Sequence, residues 1–166
     1  PLHAQSSSGP VNFQSTTLGP TGQNGGGYTI SDQFLGVRFT LASPGVTTAI
    51  GIHAYGSGSV WGAVVQLTGP ADFPDSFDLL SADVRGTAVL SLPPTSAQVQ
   101  SPLVLNLAAG SYALVFGGSN KFGSSGTGAA LVNNPEIGTP SWFFLNTPGP
   151  PSWANGGINN VRMFLI

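Results

Sequence analysis

Apolar and polar residues alternate at period two through most of the chain, the spacing that a pleated strand imposes. Between Gln33 and Leu41, the residues Leu35, Val37, Phe39 and Leu41 fall on one face, with Phe34, Arg38 and Thr40 on the other. From Ala49 to Tyr55 the same rhythm sets Ile50 and Ile52 against His53 and Tyr55. Two further runs group Trp61, Ala63, Val65 and Leu67, then Val84, Ala88, Leu90 and Leu92. Leu103, Leu105 and Leu107 lead through Ala108-Ala109-Gly110 into Tyr112, Leu114 and Phe116, which predicts a hairpin. Trp142–Leu145 and Val161–Ile166 supply further strands. No window repeats its apolar residues at helical spacing, and 24 glycines and 14 prolines interrupt the sequence too often for a long helix. The expected fold is all-β: an antiparallel β-sandwich, jelly-roll-like.

The two ends depart from this rhythm. Residues 1–27 are rich in Ser, Gly and Pro and read as a flexible segment, with residues 28–166 as the sandwich domain. Leu2-His3-Ala4 before Gln5 is similar to the small-residue end of a signal peptide, so Pro1 is expected to begin a processed chain. Within the N-terminal segment, Val11–Leu18 is one detached strand-like piece, and Val11, Phe13 and Leu18 are its apolar residues. At the C-terminus Val161, Met163 and Leu165 alternate with Arg162, Phe164 and Ile166, so both faces are largely apolar. Such a strand is expected to be central and covered on both sides. A tethered strand at one end can complete a sheet in a neighbouring copy, and a contact of that kind propagates head to tail.

Composition supports that direction. Charged residues make up 6% of the chain, against roughly 25% in ordinary soluble proteins, so little charge opposes self-association. Four basic residues in a chain of net charge −2 exclude electrostatic binding to nucleic acid or to anionic membranes. No apolar run reaches the roughly 18 residues of a membrane-spanning helix. The absence of cysteine removes disulfides, thiolate catalysis and Cys-ligated zinc.

Little catalytic chemistry is available. Of the two histidines, His3 lies in the N-terminal segment and His53 sits mid-strand, where a solvent-facing structural role is expected. No Gly-x-Ser-x-Gly elbow is present, and the glycine runs lack the lysine and helix of a phosphate cradle. No enzyme is expected. Asp72, Asp75 and Asp78, with Asp83, concentrate carboxylates between Ala71 and Asp83, and oxygen ligands on one loop could hold calcium. Turn capping by the same aspartates is the competing reading, and no other cofactor is expected. Flat aromatic rings match a pyranose face, which makes Tyr55, Trp142 and Trp153 candidates for sugar stacking, whereas Trp61 shares its face with Val65 and Leu67 and reads as core.

Three segments carry a resemblance: Asp32-Gln33-Phe34-Leu35-Gly36-Val37-Arg38-Phe39, Ser59-Val60-Trp61-Gly62-Ala63-Val64-Val65 and Leu105–Gly117. Together they resemble bacterial secreted β-sandwich proteins of the PEP-CTERM (exosortase-sorted) kind, over roughly residues 28–118 and without the sorting tail of that group. The resemblance implies a secreted surface or matrix protein and brings no catalytic residues. The expected function is an extracellular structural subunit that assembles with copies of itself into a filament or biofilm matrix, by donor-strand pairing through the N-terminal segment. The alternative is a carbohydrate-binding or adhesive module of the cell surface, with polysaccharide as its partner.

Overall fold

The computed structural model describes residues 9–18, 27–31, 33–118, 120–133, 135–146, 150–157 and 160–166. These contain no helix and the following strands: β1 (Gly9–Pro10), β2 (Phe13–Gln14), β3 (Gly27–Thr29), β4 (Phe34–Leu41), β5 (Gly45–Val46), β6 (Ala49–Ser57), β7 (Ser59–Leu67), β8 (Val84–Ser91), β9 (Ala97–Pro102), β10 (Asn106–Leu107), β11 (Gly110–Gly117), β12 (Thr127–Leu131), β13 (Ser141–Asn146), β14 (Ser152–Asn155) and β15 (Met163–Leu165). His3 and the first glycines of the Gly25–Gly27 run lie outside the described residues, as does Asp32 of the first resembling segment.

The first sheet has the order β14-β13-β4-β11-β7-β8 and the second β2-β15-β6-β12-β3, every pair antiparallel. Strand β9 pairs with β6 over Ala49–Ala54, and β15 pairs with Ile50–Ile52 of the same strand. A strand has only two edges, so β9 and β15 flank β6 on opposite sides. The sheets pack as an antiparallel β-sandwich, as the alternation predicts. A small third sheet, β1-β5-β10, contains the one parallel pair among the described strands, β1 with β5.

The period-two faces sort into two apolar layers. Leu35, Val37, Phe39, Ile50, Ile52, Leu90, Leu114, Phe116, Met163 and Leu165 fill the space between the sheets. The opposite face of the first sheet is buried too: Phe34, Trp61, Ala63, Val65, Ala113, Val115 and Phe143 form a second layer, covered by Leu79 and Phe73. Trp61 is therefore core, with its indole N–H donating to the Gly118 carbonyl at 2.8 Å.

Two expectations need correction. Leu103–Leu107 does not form a hairpin with β11, because β10 pairs with β5 and β11 lies between β4 and β7. The run containing Gly110 instead carries the chain from the small third sheet into the first. Val84 also leaves the face of Ala88 and Leu90. A bulge at Arg85, where Val65 pairs with Val84 but Val64 with Gly86, turns Val84 into the second layer.

Glycine has a use that periodicity does not reveal. Phe143 stands directly across from Gly36, Phe164 from Gly51, Phe116 from Gly62 and Trp61 from Gly117. In each case the ring occupies the space that a glycine Cβ would need; at Gly62 that Cβ would lie 2.7 Å from Phe116 Cε1. The missing side chain lets a ring lie flat on the neighbouring backbone, and burying such a ring stabilises the fold by about 1.5–3 kcal/mol. Only some glycines are turn residues, such as Gly58 (φ 72°), where the chain passes from β6 to β7.

Candidate functional site

Residues 9–18 of the N-terminal segment do not stand apart from the sandwich; β2 is threaded into the second sheet of its own chain. Val11 is 3% exposed, and its N–H donates to the Val46 carbonyl at 2.9 Å. Phe13 pairs with Leu165 and Gln14 with Phe164. Period two then sends Phe13 inward, where it stacks on Phe39 at 4.7 Å, and Phe39 in turn lies 5.7 Å from Tyr112. Ser15 is fully buried: its hydroxyl donates to the Val161 carbonyl (2.7 Å) and accepts from the Met163 N–H (2.9 Å). On the far side of the segment, Ile137 N–H donates to the Ser15 carbonyl and Thr17 N–H to that of Pro135, each at 3.0 Å. A bridge joins Thr16 to Glu136. Residues 11–17 thus fill a slot between β15 and the 135–137 stretch, while Leu18 is half exposed.

Arg162 locks the slot. Its Nε donates to Gln98 Oε1 at 2.9 Å, and Nη1 donates to Gln14 Oε1 at 2.7 Å and to the Thr16 carbonyl. One buried guanidinium therefore ties the N-terminal segment to β9 across β15 and β6. Its Cζ sits 5.1 Å from the Phe164 ring. Beside it His53 is 2% exposed, not solvent-facing as expected, because Asn133, Gln98 and Arg162 close over that face of β6. Asn133 donates to the Leu131 carbonyl, which turns its Oδ1 toward the His53 Nδ1–H at 3.0 Å. Burial lowers the His53 pKa from its ordinary value, the Asn133 hydrogen bond raises it, and the Arg162 charge lowers it.

The C-terminal strand is central, with β2 on one edge and β6 on the other. Val161, Met163 and Leu165 face the inter-sheet core, and Phe164 is buried on the opposite face. Ile166 is 42% exposed, yet its backbone exchanges two 2.9 Å hydrogen bonds with Ala49. Arg162, Ser15 and Gln98 escape a reading based on apolar alternation. The one signal for Arg162 is a charge inside an apolar strand of a chain that carries only four cations.

The other candidates disperse. The acidic segment is a cover over the first sheet: Phe73 and Leu79 face inward, and the aspartates make its turns. Asp83 Oδ2 accepts the Asp75 N–H at 3.0 Å, Asp78 Oδ1 accepts the Leu80 N–H at 3.1 Å, and Asp72 offers its backbone carbonyl to Arg38. Asp72, Asp75 and Asp78, candidates for calcium or for turn capping, serve the turns here, and among the described residues no group of three or more His, Asp or Glu gathers to hold a metal. The sugar-stacking candidates do not share a surface either. Trp142 is 5% exposed and packs into the core, and Trp153 lies half-buried against Phe143 (5.4 Å) and Phe77 (6.4 Å). Tyr55 is exposed on the second sheet. Among the described residues no helix is long and apolar enough to cross a membrane.

A scan against protein-family models finds none that matches the chain, and a search of curated proteins finds none similar to it.

Proposed function

We propose that this chain is an extracellular structural subunit that assembles with copies of itself by exchanging the N-terminal strand. The observation that carries the reading is the slot beside β15. Every contact made there by Val11, Phe13, Ser15 and Thr16 can be made equally by a neighbour's segment, because exchange of an identical element between copies changes no contact. In sequence, Gly19–Gly26 separate the segment from β3, and half of them are glycine. An empty slot would leave the β15 edge and Arg162 Nη1 without their partners, so a copy that has released its own segment takes up another. Charged residues at 6% leave little repulsion between packed subunits. The segments that resemble secreted sandwich proteins support placement outside the cell, and the lack of cysteine does not contradict it.

Negative-stain electron microscopy of the full chain and of a chain lacking residues 1–18 tests this. Polymers are expected from the first and not from the second. Polymers from the truncated chain, or a full chain that stays monomeric at every concentration, would overturn the reading.

A further inference from the structure

The face of the second sheet that carries Arg162 also carries His53, and the two stand side by side. The pairing of Met163 with Ile52 runs on to set Arg162 across from His53, whose backbone N–H donates to the Arg162 carbonyl at 3.0 Å. On the other edge of β6, Gln98 is the partner of His53. Directly paired residues point to the same face of a sheet, so Gln98, His53 and Arg162 form one row across β9, β6 and β15. His53 and Arg162 are both buried, and the Arg162–Gln98 hydrogen bond joins the two outer members of the row.

Among the described residues no carboxylate belongs to this row. Strand β9 contributes Gln98 and Gln100, the residue pair after β12 contributes Asn133, and β2 contributes Gln14. On β6 itself Tyr55, two residues along the same face, is exposed. Glu136 pairs with Thr16 on the far side of the N-terminal segment. Arg162 is the one charge that acts on the imidazole, and it opposes a second positive charge beside it.

The closed slot suits a neutral ring. Asn133 spends its amide N–H on the Leu131 carbonyl, which leaves Oδ1 to accept from His53 Nδ1 at 3.0 Å. A further proton would go to Nε2 and set two positive charges side by side in a buried row. Release of residues 11–17 changes this. Arg162 Nη1 then loses Gln14 and the Thr16 carbonyl, its acceptors in the slot, and the guanidinium is free to turn toward water. The released form therefore takes up a proton more readily than the closed form. A ligand, here the proton, shifts an equilibrium toward the state that binds it better.

We propose that protonation of His53 loosens the slot beside β15, so that mild acid releases the N-terminal strand. As a control on assembly, by faster exchange between copies in acid, this rests on the strand-exchange reading; the loosening itself does not.

Hydrogen exchange of the full chain at pH 7.5, 6.5 and 5.5, corrected for the intrinsic rate at each pH, tests the proposal. The amides of Val11, Ser15 and Thr17, which donate to Val46, Met163 and Pro135, report on the slot. Their opening equilibrium is expected to rise several-fold between pH 6.5 and 5.5, within the limit of about tenfold per unit that one proton allows. His53→Gln is expected to abolish the rise. Asn133→Asp, which sets a carboxylate against the imidazolium, is expected to abolish it by a different route. N-terminal opening that ignores pH while β11 opens more in acid would overturn the proposal, since His53 would then titrate only on global unfolding. An undiminished rise in His53→Gln, or in Asn133→Asp should the first variant not fold, would overturn it as well. A full chain that loosens in acid yet forms no polymer at any pH would uphold the switch and overturn the strand-exchange reading.

Discussion

The two sheets close their pairings by different routes. In the first sheet, β7 meets β8 through residues as near in sequence as Val65 and Val84, and β11 joins β7 and β4 along seven residue pairs each. In the second sheet, the β15 edge is closed by residues from the opposite end of the chain: Ser15 bonds Met163 across 148 positions. Relative to a pairing some 20 residues apart, that is about three doublings of loop length, or about 2 kcal/mol of closure entropy. The first sheet is the self-sufficient half. The second depends on a short segment whose attachment to its own body confers a small advantage, which is the condition under which a neighbour's segment competes.

Both sheets seat a phenylalanine on a glycine of the adjacent strand, and this shared device gives the largest test of the contrast. Gly36→Val and Gly51→Val each force a ring off its seat and are expected to cost about 3 kcal/mol or more. The first should unfold the sandwich as a whole. The second should also free β15 and with it residues 11–17, so in hydrogen exchange its N-terminal amides lose protection before those of β11. Equal loss across both sheets would remove the distinction.

Phe13→Ala deletes the outer ring of the Phe13–Phe39–Tyr112 stack and is expected to lower stability by about 2–3 kcal/mol in urea unfolding, while raising the proteolysis rate near residues 9–18. Arg162→Gln leaves Gln98, Gln14 and the Thr16 carbonyl without their shared donor. A loss of about 1–3 kcal/mol is expected, with earlier N-terminal exchange and the first sheet unaffected. If β4 and β11 lose protection equally, Arg162 supports the whole core and not the slot.

A smaller effect follows from His53. With its native pKa lowered, the unfolded chain binds a proton that the folded chain refuses once the pH falls below about 6.5. Stability therefore declines as pH drops through that value and levels off below the native pKa, with a slope no steeper than about 1.4 kcal/mol per pH unit from this one group. Thermal unfolding at pH 7.5, 6.5 and 5.5 should show the decline, and His53→Gln should flatten it. At the bottom of the scale, Leu80→Ser and Val104→Ser remove side chains that are each 71% exposed and should change stability by less than about 0.5 kcal/mol.

The legibility of the sequence follows the same division. Alternation located β4, β6, β7 and β11 and sorted Leu35, Val37, Ile50, Ile52 and Trp61 to the right faces, because period two is a local property of a strand. It could not say that the face of Phe34 and Arg38 is buried as well, since a loop 30 residues further along covers it. The Val84 face was lost to a one-residue bulge. The apolar segment Val11–Leu18 was visible as a strand, but not its place beside β15, because nothing in a run of eight residues encodes a partner at the far end of the chain.

The proposed exchange requires that the slot beside β15 accept the N-terminal strand of a neighbour. Thr16 and Glu136 are bridge partners, so their Cα atoms lie within disulfide range, and the chain has no other cysteine to confuse the result. Thr16→Cys combined with Glu136→Cys, oxidised after assembly and run on a non-reducing denaturing gel, should give a ladder of covalent oligomers. A single monomer band carrying an internal disulfide, from a sample that forms polymers, would contradict strand exchange.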